Sequence, residues 1–269
     1  MNIWRDELRP SGLMIDMDGT IYKGSNIIPG AKEFIDFLLR EKIPFVFLTN
    51  NSSHTREYYS QKLRSMGFGV GRERILTSTI ATVRFIKERR AGKKVFVIAT
   101  PEVTEEIEEL GIKSHEEDPG IVLLTFDRSI TFDKINKAYH YIMNGAELIA
   151  THPDDLCPTE DAYDVDIGQF IHMLSYLTGA VPVIIGKPSA LMLEMAAGEM
   201  GVDKENTIMI GDRIYTDMRM ASDAGIGSIL VLTGEAKISD LDGSVFKPSY
   251  IVNSVADIPG LLSGARSQP

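Results

Sequence analysis

Short apolar runs alternate with segments of helical periodicity along most of this chain. A buried strand is predicted at residues 13–15, because the apolar run follows Gly12 and stops at polar residues. A helix with a broad apolar face is predicted at 31–40, and a second strand at 43–48. This alternation predicts an α/β fold with a parallel sheet.

The same alternation continues toward the end of the chain. The further predicted strands lie at 75–76, 95–99, 121–124, 147–150, 183–185, 207–210, 228–232 and 250–252. The further predicted helices lie at 56–66, 81–90, 101–110, 132–143, 167–177, 189–200 and 216–224. Residues 154–166 show no periodicity and are predicted to form a loop, and residues 263–269 a frayed tail.

The pattern changes near residue 80 and resumes its first form at about residue 185. We therefore predict an inserted second unit with its own small core. Residues 1–80 and 185–269 form the discontinuous first domain, with a Rossmann-like parallel sheet, and residues 81–184 form an α/β insert.

Composition limits the class of protein. The 269 residues are 43% hydrophobic and 25% charged, as in an ordinary soluble protein. A net charge of −10 argues against nucleic acid as a partner, because phosphate backbones require basic surfaces. The single cysteine, Cys157, excludes an internal disulfide framework. No signal-peptide core or membrane-spanning run is found, so we expect a cytoplasmic protein without a membrane partner.

Polar clusters follow four of the predicted strands. The clusters are Asp16 with Asp18, Thr49 with Asn50, Lys187, and Asp212 with Asp217. The carboxyl ends of parallel strands meet at one edge of a sheet, so we expect these side chains to converge there. A turn alone explains any one cluster, but it does not readily explain the whole set.

The set suits phosphoryl transfer. Asp16, Asp18 and Asp212 offer the hard oxygen ligands that Mg²⁺ prefers. Thr49 and Lys187 are suited to hold the equatorial phosphoryl oxygens, over which transition-state charge is spread. Asp18 is placed to give a proton to the leaving oxygen and later to take one from water.

Four stretches in this order resemble the motifs of the haloacid dehalogenase superfamily. They are Asp-Met-Asp-Gly-Thr at 16–20, Leu-Thr-Asn-Asn-Ser at 48–52, Gly-Lys-Pro at 186–188 and Gly-Asp-Arg-Ile-Tyr-Thr-Asp at 211–217. The phrase Gly-Thr-Ile-Tyr-Lys-Gly at 19–24 narrows the resemblance to the NagD-like and 4-nitrophenylphosphatase-like phosphatases. Four ordered motifs are far more specific than any single one.

The resemblance implies a role for each matching residue. Asp16 would be the nucleophile that forms an aspartyl-phosphate, and Asp18 the general acid and base. The residues that would bind the phosphoryl group are Thr49, Lys187, Gly19, Asn51 and, through its backbone, Asn50.

The resemblance also implies a cofactor and a cap. Mg²⁺ would be ligated by Asp16, Asp212 and the main-chain carbonyl of Asp18, with Asp217 orienting these ligands. The insert between the second and third motifs would be a large α/β cap, through which some relatives form homodimers. The implied function is Mg²⁺-dependent hydrolysis of a small phosphate monoester, such as a sugar phosphate or a nucleoside monophosphate.

Three other functions use part of the same machinery. A dehalogenase needs neither Mg²⁺ nor an acid at position 18, so Asp18 argues against that chemistry. A phosphotransferase or mutase uses the same core and stays an alternative. A regulator that only binds a phosphorylated metabolite is expected to lack Asp16 or Lys187, and both are present.

The cap departs from its relatives where they face the substrate, so the natural substrate cannot be carried over. His152 stands where relatives often have asparagine, before Pro153 and Asp154. A lone loop histidine is expected to be solvated. Two interpretations of the aspartates at 154, 155, 161, 164 and 166 stay open: they recognise hydroxyls or an amine, or they form a solvated acidic loop.

Overall fold

The computed structural model describes residues 9–159 and 162–263. Its strands are β1 (Gly12–Asp16), β2 (Tyr22–Lys23), β3 (Asn26–Ile27), β4 (Phe45–Thr49), β5 (Ile75–Thr77), β6 (Val95–Ile98), β7 (Ile121–Leu124), β8 (Glu147–Ala150), β9 (Leu156–Pro158), β10 (Tyr163–Val165), β11 (Val183–Ile184), β12 (Thr207–Gly211), β13 (Gly227–Val231) and β14 (Tyr250–Val252). Its helices are α1 (Ala31–Arg40), α2 (Arg56–Ser65), α3 (Ser78–Arg89), α4 (Pro101–Glu109), α5 (Phe132–Met143), α6 (Ile167–Thr178), α7 (Ala190–Met200), α8 (Arg219–Ala224) and α9 (Ile258–Ser263). Within these described ranges, no helix combines the length and the apolar character that crossing a membrane requires.

The predicted helices and strands are present, with small shifts at their ends. Two short antiparallel hairpins, β2–β3 and β9–β10, were not predicted. The prediction of an unstructured loop at 154–166 is therefore wrong in part. Strands of two or three residues are too short to show an alternating pattern in the sequence. The tail predicted at residues 263–269 is wrong for Ser263, which ends the unpredicted helix α9. The rest of that tail and the predicted loop residues 160–161 lie outside the described residues.

One compact unit comprises Met1–Leu48, Ser60–Ile75 and Leu193–Pro269. The sheet that runs through it has the strand order β14-β13-β12-β1-β4-β5. Its strands β1, β4, β12 and β13 are buried over their whole length. Strands buried on both faces are typical of a parallel sheet covered by helices, and the pairs β1–β12, β1–β4 and β12–β13 are parallel. The predicted α/β fold with a parallel sheet is confirmed.

The register of this sheet aligns the carboxyl ends of three neighbouring strands. In the β1–β4 pair Asp16 lies opposite Leu48, and in the β1–β12 pair Ile15 lies opposite Ile210. β12 then ends at Gly211, directly before Asp212. The polar residues after β1 and β12 therefore emerge at the same edge of the sheet, where parallel α/β proteins bind their ligands.

The second compact unit comprises Thr49–Tyr59 and Leu76–Met192. It has its own sheet, with the order β11-β8-β7-β6 and parallel pairing throughout. Side chains of this sheet pack with those of α5 and α6 into a hydrophobic core that includes Phe96, Leu124, Leu148 and Leu174. The predicted limits of the insert, at residues 81 and 184, stay a prediction.

β11 belongs to this second sheet. Its residue Val183 pairs with Ile149, and Ile184 pairs with Ala150. The expectation that Lys187 follows a strand of the same sheet as Asp16 is therefore wrong. A short apolar run indicates a buried strand, but the run does not say which of two sheets the strand joins.

Candidate active site

Three buried carboxylates meet at the carboxyl edge of the first unit's sheet. Asp16 ends β1, Asp212 follows β12, and Asp217 lies in the π-helical turn Ile214–Met218. One carboxylate oxygen from each of these residues lies within 4.8 Å of the others. Each residue is at most 8% exposed. The structure thus brings together Asp16, Asp212 and Asp217, and the side chain of Asp18 is not part of this cluster.

Asp212 is held so that one of its oxygens is left for a ligand. The main-chain N–H of Glu235 donates to Asp212 Oδ2 at 2.7 Å. The other oxygen, Oδ1, is buried and has no hydrogen-bond partner among the described residues. A buried acceptor without a donor is costly, and a hard cation is a partner that satisfies it. Gly19, with φ +85°, makes this approach possible, since a Cβ there would lie 2.4 Å from Asp212 Oδ2.

The cluster concentrates negative charge away from water. Burial raises the pKa of Asp212 well above the usual carboxyl range, and the nearby carboxylates of Asp16 and Asp217 raise it further. Arg213 and the Glu235 N–H lower this pKa, but their effects are smaller. Positive charge beside these carboxylates would lower the pKa of Asp212 and favour its ionised form.

Asp217 is tied to the chain beside Asp212. The N–H of Arg213 donates to Asp217 Oδ2 at 3.1 Å, and Asp217 is fully buried. The carboxylate of Asp217 therefore stabilises the turn that presents Asp212. Such π-helical turns occur frequently at functional sites.

Asp18 differs from Asp16, Asp212 and Asp217 because it is exposed. It lies in a tight turn, in which the Gly19 N–H donates to the Tyr22 carbonyl oxygen at 2.7 Å. The protein around the carboxyl nevertheless desolvates it enough to raise its pKa, against the lowering effect of Lys62 and Arg213. A carboxyl with a raised pKa and access to solvent is suited to donate and accept protons.

The second unit contains four of the five predicted phosphate-binding residues, namely Thr49, Asn50, Asn51 and Lys187, and Gly19 lies in the first unit. Asn50 Oδ1 accepts a hydrogen bond from the Lys187 N–H at 2.8 Å, and Asn50 Nδ2 donates to the Lys187 carbonyl oxygen at 2.9 Å. Thr49 Oγ1 accepts from the Asn51 N–H at 3.2 Å. The structure therefore brings Asn50 and Lys187 together, although β11 belongs to another sheet than β4.

The side chain of Asn51 is used within its own loop. Its Oδ1 accepts from the Ser53 N–H at 3.0 Å and from the Ser53 hydroxyl at 2.7 Å. Its Nδ2 lies 3.6 Å from the Cys157 sulfur, next to the β9–β10 hairpin. Asn51 therefore shapes the loop that carries Thr49 and Asn50.

His152 is fully buried, so the expectation that it is solvated is wrong. Its Nδ1 lies 3.1 Å from Thr151 Oγ1, and its Nε2 lies 3.1 Å from Asp166 Oδ1. Asp166 also accepts from the Ile167 N–H at 2.7 Å and so caps α6. Asp154 and Asp166 are themselves buried, at 7% and 3% exposure, and the idea of a wholly solvated acidic loop fails for these two residues.

Sequence reasoning did not identify three residues that act on the site. Arg213 and Lys62 influence the pKa of Asp18, and the Glu235 main chain holds Asp212. Arg213 lies inside the stretch 211–217, which is a signal that it belongs to the site. Lys62 carries no such signal, and Glu235 acts through an N–H that any residue except proline provides.

Comparison with known proteins assigns the chain to a family. The family model of haloacid dehalogenase-like hydrolases matches residues 13–113, and a second HAD-hydrolase-like model matches residues 184–258. The 5'-nucleotidase YutF of Bacillus subtilis is 34% identical over 246 residues, which are 91% of this chain and 96% of that protein. The chain belongs to the haloacid dehalogenase-like hydrolases.

Solved structures place this hydrolase more narrowly within the family. The 4-nitrophenylphosphatase of Thermotoga maritima superposes with a TM-score of 0.90 at 35% identity, covering 94% of this chain and 97% of that one. NagD of E. coli gives a TM-score of 0.85 at 30% identity, with coverages of 92% and 98%. The hydrolase is therefore a NagD-like phosphatase, a phosphoric monoester hydrolase. The predicted family, fold class and enzyme class are confirmed.

Proposed function

We propose that this phosphatase hydrolyses small phosphate monoesters by transferring the phosphoryl group to Asp16, with Mg²⁺ as its cofactor. The observation that carries the proposal is the cluster of three buried carboxylates, in which Asp212 Oδ1 has no hydrogen-bond partner among the described residues. YutF is named a 5'-nucleotidase and the T. maritima relative a 4-nitrophenylphosphatase, and both names describe phosphate monoester hydrolysis.

The donor atoms of the cluster fit Mg²⁺. All are oxygens, as Mg²⁺ prefers, and a cation beside Asp212 would offset the burial and the neighbouring carboxylates that raise its pKa. Asp16, Asp212 and the main-chain carbonyl of Asp18 would hold the ion, with Asp217 orienting them. When bound, the ion offsets the repulsion between the Asp16 carboxylate and the phosphate dianion.

The first half of the reaction forms a bond between Asp16 and phosphorus. A carboxylate oxygen of Asp16 attacks, the bond from phosphorus to the ester oxygen breaks, and Asp18 gives its proton to that leaving oxygen. The raised pKa of Asp18 favours the protonated form that this step requires. We assign Thr49 and Lys187 to the equatorial phosphoryl oxygens, where charge is spread in the transition state.

The second half returns the enzyme to its starting state. Asp18, now ionised, takes a proton from water as the water oxygen attacks phosphorus. The bond between phosphorus and Asp16 breaks, which releases inorganic phosphate and restores the Asp16 carboxylate. Asp18 is then protonated for the next turnover, so one exposed carboxyl serves both halves.

A panel of phosphate monoesters tests the reaction class. We expect the enzyme to release inorganic phosphate with Mg²⁺ present and to lose this activity in a chelator. Transfer of the phosphoryl group to an added sugar would instead indicate a phosphotransferase or mutase. Stoichiometric binding of the esters without turnover would indicate a regulator.

An Asp212→Asn variant is expected to unfold less readily than wild type in metal-free buffer at neutral pH. The raised pKa of Asp212 means that the folded state keeps a proton that the unfolded state releases. Wild-type stability therefore falls as pH rises from the ordinary carboxyl pKa through the raised one. Asparagine carries no charge and still accepts from the Glu235 N–H, so the variant avoids a loss on the order of 1 kcal/mol.

Urea unfolding in chelator measures the free energy of unfolding without metal. The same experiment in Mg²⁺ measures how much the ion adds to that free energy. With Mg²⁺ at about 100 times its Kd, wild type should gain about 2.7 kcal/mol, and Asp212→Asn much less. Asp223→Asn is the matched control, because Asp223 is an exposed acid of the same unit, paired with Arg219 at 3.3 Å. An Asp212→Asn variant less stable than wild type in chelator, or with the same gain from Mg²⁺, contradicts the account.

We also propose that the β9–β10 hairpin takes part in a homodimer through the cap. Leu156 and Val165 pair across the hairpin and are 49% and 58% exposed, and Tyr163 is 59% exposed. The hairpin contains two strands, so an edge of each has no strand partner among the described residues. Light scattering should show a dimer for wild type and a monomer for a Leu156→Asp/Val165→Asp variant; a wild-type monomer contradicts this proposal.

A further inference from the structure

A buried carboxylate, that of Asp154, contacts the side chain of Asn50, which is bonded to the main chain of Lys187. Asn50 Nδ2 faces both carboxylate oxygens of Asp154, at 3.3 and 3.2 Å. The same Nδ2 donates to the Lys187 carbonyl oxygen at 2.9 Å, and Asn50 Oδ1 accepts from the Lys187 N–H at 2.8 Å. Asn50, Asp154 and Lys187 are only 6%, 7% and 3% exposed, so water competes little with these contacts.

These contacts agree on one orientation of the Asn50 amide. Turning the amide over would set its oxygen against the Asp154 carboxylate and the Lys187 carbonyl oxygen. Its NH₂ group would then face the Lys187 N–H, so every contact would become repulsive. Because Asp154 supplies a charged acceptor, it strengthens the amide orientation in which both main-chain groups of Lys187 are bonded.

The surroundings of Asn50 are built to keep this geometry. The hydroxyl of Ser78 donates to the Asn50 carbonyl oxygen at 2.7 Å. A Cβ at Gly186 would lie 2.7 Å from Asn50 Oδ1 and 2.4 Å from the Thr151 carbonyl oxygen. Only glycine therefore lets the segment before Lys187 approach Asn50 this closely.

We propose that Asp154 is a positioning residue, which acts through Asn50 to hold the main chain of Lys187 and so to aim the lysine at the phosphoryl group. The inference rests on the role given to Lys187 in the proposed function. Asp154 lies two residues before β9, so it connects the β9–β10 hairpin with the phosphate-binding lysine. Its effect falls on transition-state stabilisation, and hence on kcat more than on KM.

Substitutions at positions 154 and 50 test the contact between Asp154 and Asn50. The effect of Asp154→Asn on kcat is expected to change from a loss to a gain when Asn50→Asp is also present. In the wild-type background, Asp154→Asn is expected to lower kcat for 4-nitrophenyl phosphate by about tenfold, with little change in KM. Asn50→Asp alone sets two carboxylates against each other and should lower kcat more. Adding Asp154→Asn to Asn50→Asp should then raise kcat, because it removes the repulsion and supplies a donor.

The Lys187→Ala background tests whether Asp154 acts through the lysine. We expect Asp154→Asn to change kcat by less than about twofold there, because the group it positions is gone. Equal losses in the wild-type, Asn50→Asp and Lys187→Ala backgrounds would show a merely structural role and overturn the proposal. If Asp154→Asn alone is silent, this proposal falls and the proposed function stands. If Lys187→Ala itself has no effect on kcat, the role of Lys187 falls as well.

Two further variants separate positioning from stability. Asp127→Asn removes another buried carboxylate of the same unit, which pairs with Lys134 at 2.5 Å. It should lower the Tm and leave kcat near that of wild type. Asp154→Glu keeps the charge and should retain more of kcat than Asp154→Asn, so it provides the comparison if Asp154→Asn folds poorly. A kcat that follows Tm across all these variants contradicts a positioning role.

Discussion

An Asp18→Asn variant is expected to release about one equivalent of nitrophenolate from 4-nitrophenyl phosphate and then to stall. Nitrophenolate leaves with little need for a proton, so attack by Asp16 proceeds without the acid. Water attack on the phosphorylated Asp16 still requires a base, and asparagine cannot act as one. Stopped-flow absorbance measures the amplitude of the burst and the steady rate that follows. The enzyme concentration must be high enough for one equivalent of nitrophenolate to be detected.

The same variant separates the two roles of Asp18 by the choice of substrate. With an alkyl phosphate, whose leaving group needs a proton, even the burst should be slow. Asp36 is another acid of the first unit and lies on α1. Its Asp36→Asn variant is the control and should hydrolyse both substrates at the wild-type rate. Steady turnover of 4-nitrophenyl phosphate by Asp18→Asn would remove Asp18 from the second half of the reaction.

A Lys187→Ala variant is expected to lose about 10²-fold or more in kcat while remaining folded. The ammonium group is proposed to act on charge that develops in the transition state, so its loss should affect kcat strongly. The hydrogen bonds from Asn50 reach the Lys187 main chain, which alanine retains, so the local fold should survive. Steady-state kinetics and a melting curve measure both quantities.

A lysine far from this chemistry provides the matched control. Lys204 pairs with Glu194 at 3.1 Å on the surface, and Lys204→Ala should leave kcat near that of wild type. Lys187→Arg keeps a positive charge with a different shape and should recover part of the loss. Near-normal kcat in a folded Lys187→Ala variant would exclude the lysine from the reaction.

The core of the site could be predicted because its signals are local. Asp16 and Asp212 each follow an apolar run, and the parallel register places both at one edge of the sheet. No distant contact had to be known for that inference. The spacing within 211–217 likewise keeps Asp212 and Asp217 on one tight turn, which the Arg213 N–H closes.

Lys187 shows where this reasoning stops. Lys187 was predicted to lie at the same sheet edge as Asp16 on the assumption of a single sheet. The strand before Lys187, β11, instead pairs with β8 in the second sheet. What the structure shows instead is a side chain, that of Asn50, bonded to the Lys187 main chain over 137 positions of sequence. Strand pairing and side-chain to main-chain contacts of this range leave no periodic signal in one sequence.

The buried polar residues of the second unit were missed for a similar reason. His152 resembles an ordinary loop histidine until its partner is known, and Asp166 lies 14 positions further along the chain. Burial of a histidine or a carboxylate requires hydrogen-bond partners, and composition does not reveal them. Short hairpins such as β9–β10 are hidden because three residues cannot establish an alternation.

Mass spectrometry of the stalled Asp18→Asn enzyme tests the central claim, phosphoryl transfer to Asp16, most directly. The enzyme is quenched in acid after the burst, digested and mapped. We expect one added phosphoryl group on the peptide that contains Asp16, and we expect its absence when Asp16→Asn is introduced into the same chain. A phosphoryl group on any other residue, or an unmodified protein after a full burst, would contradict the account.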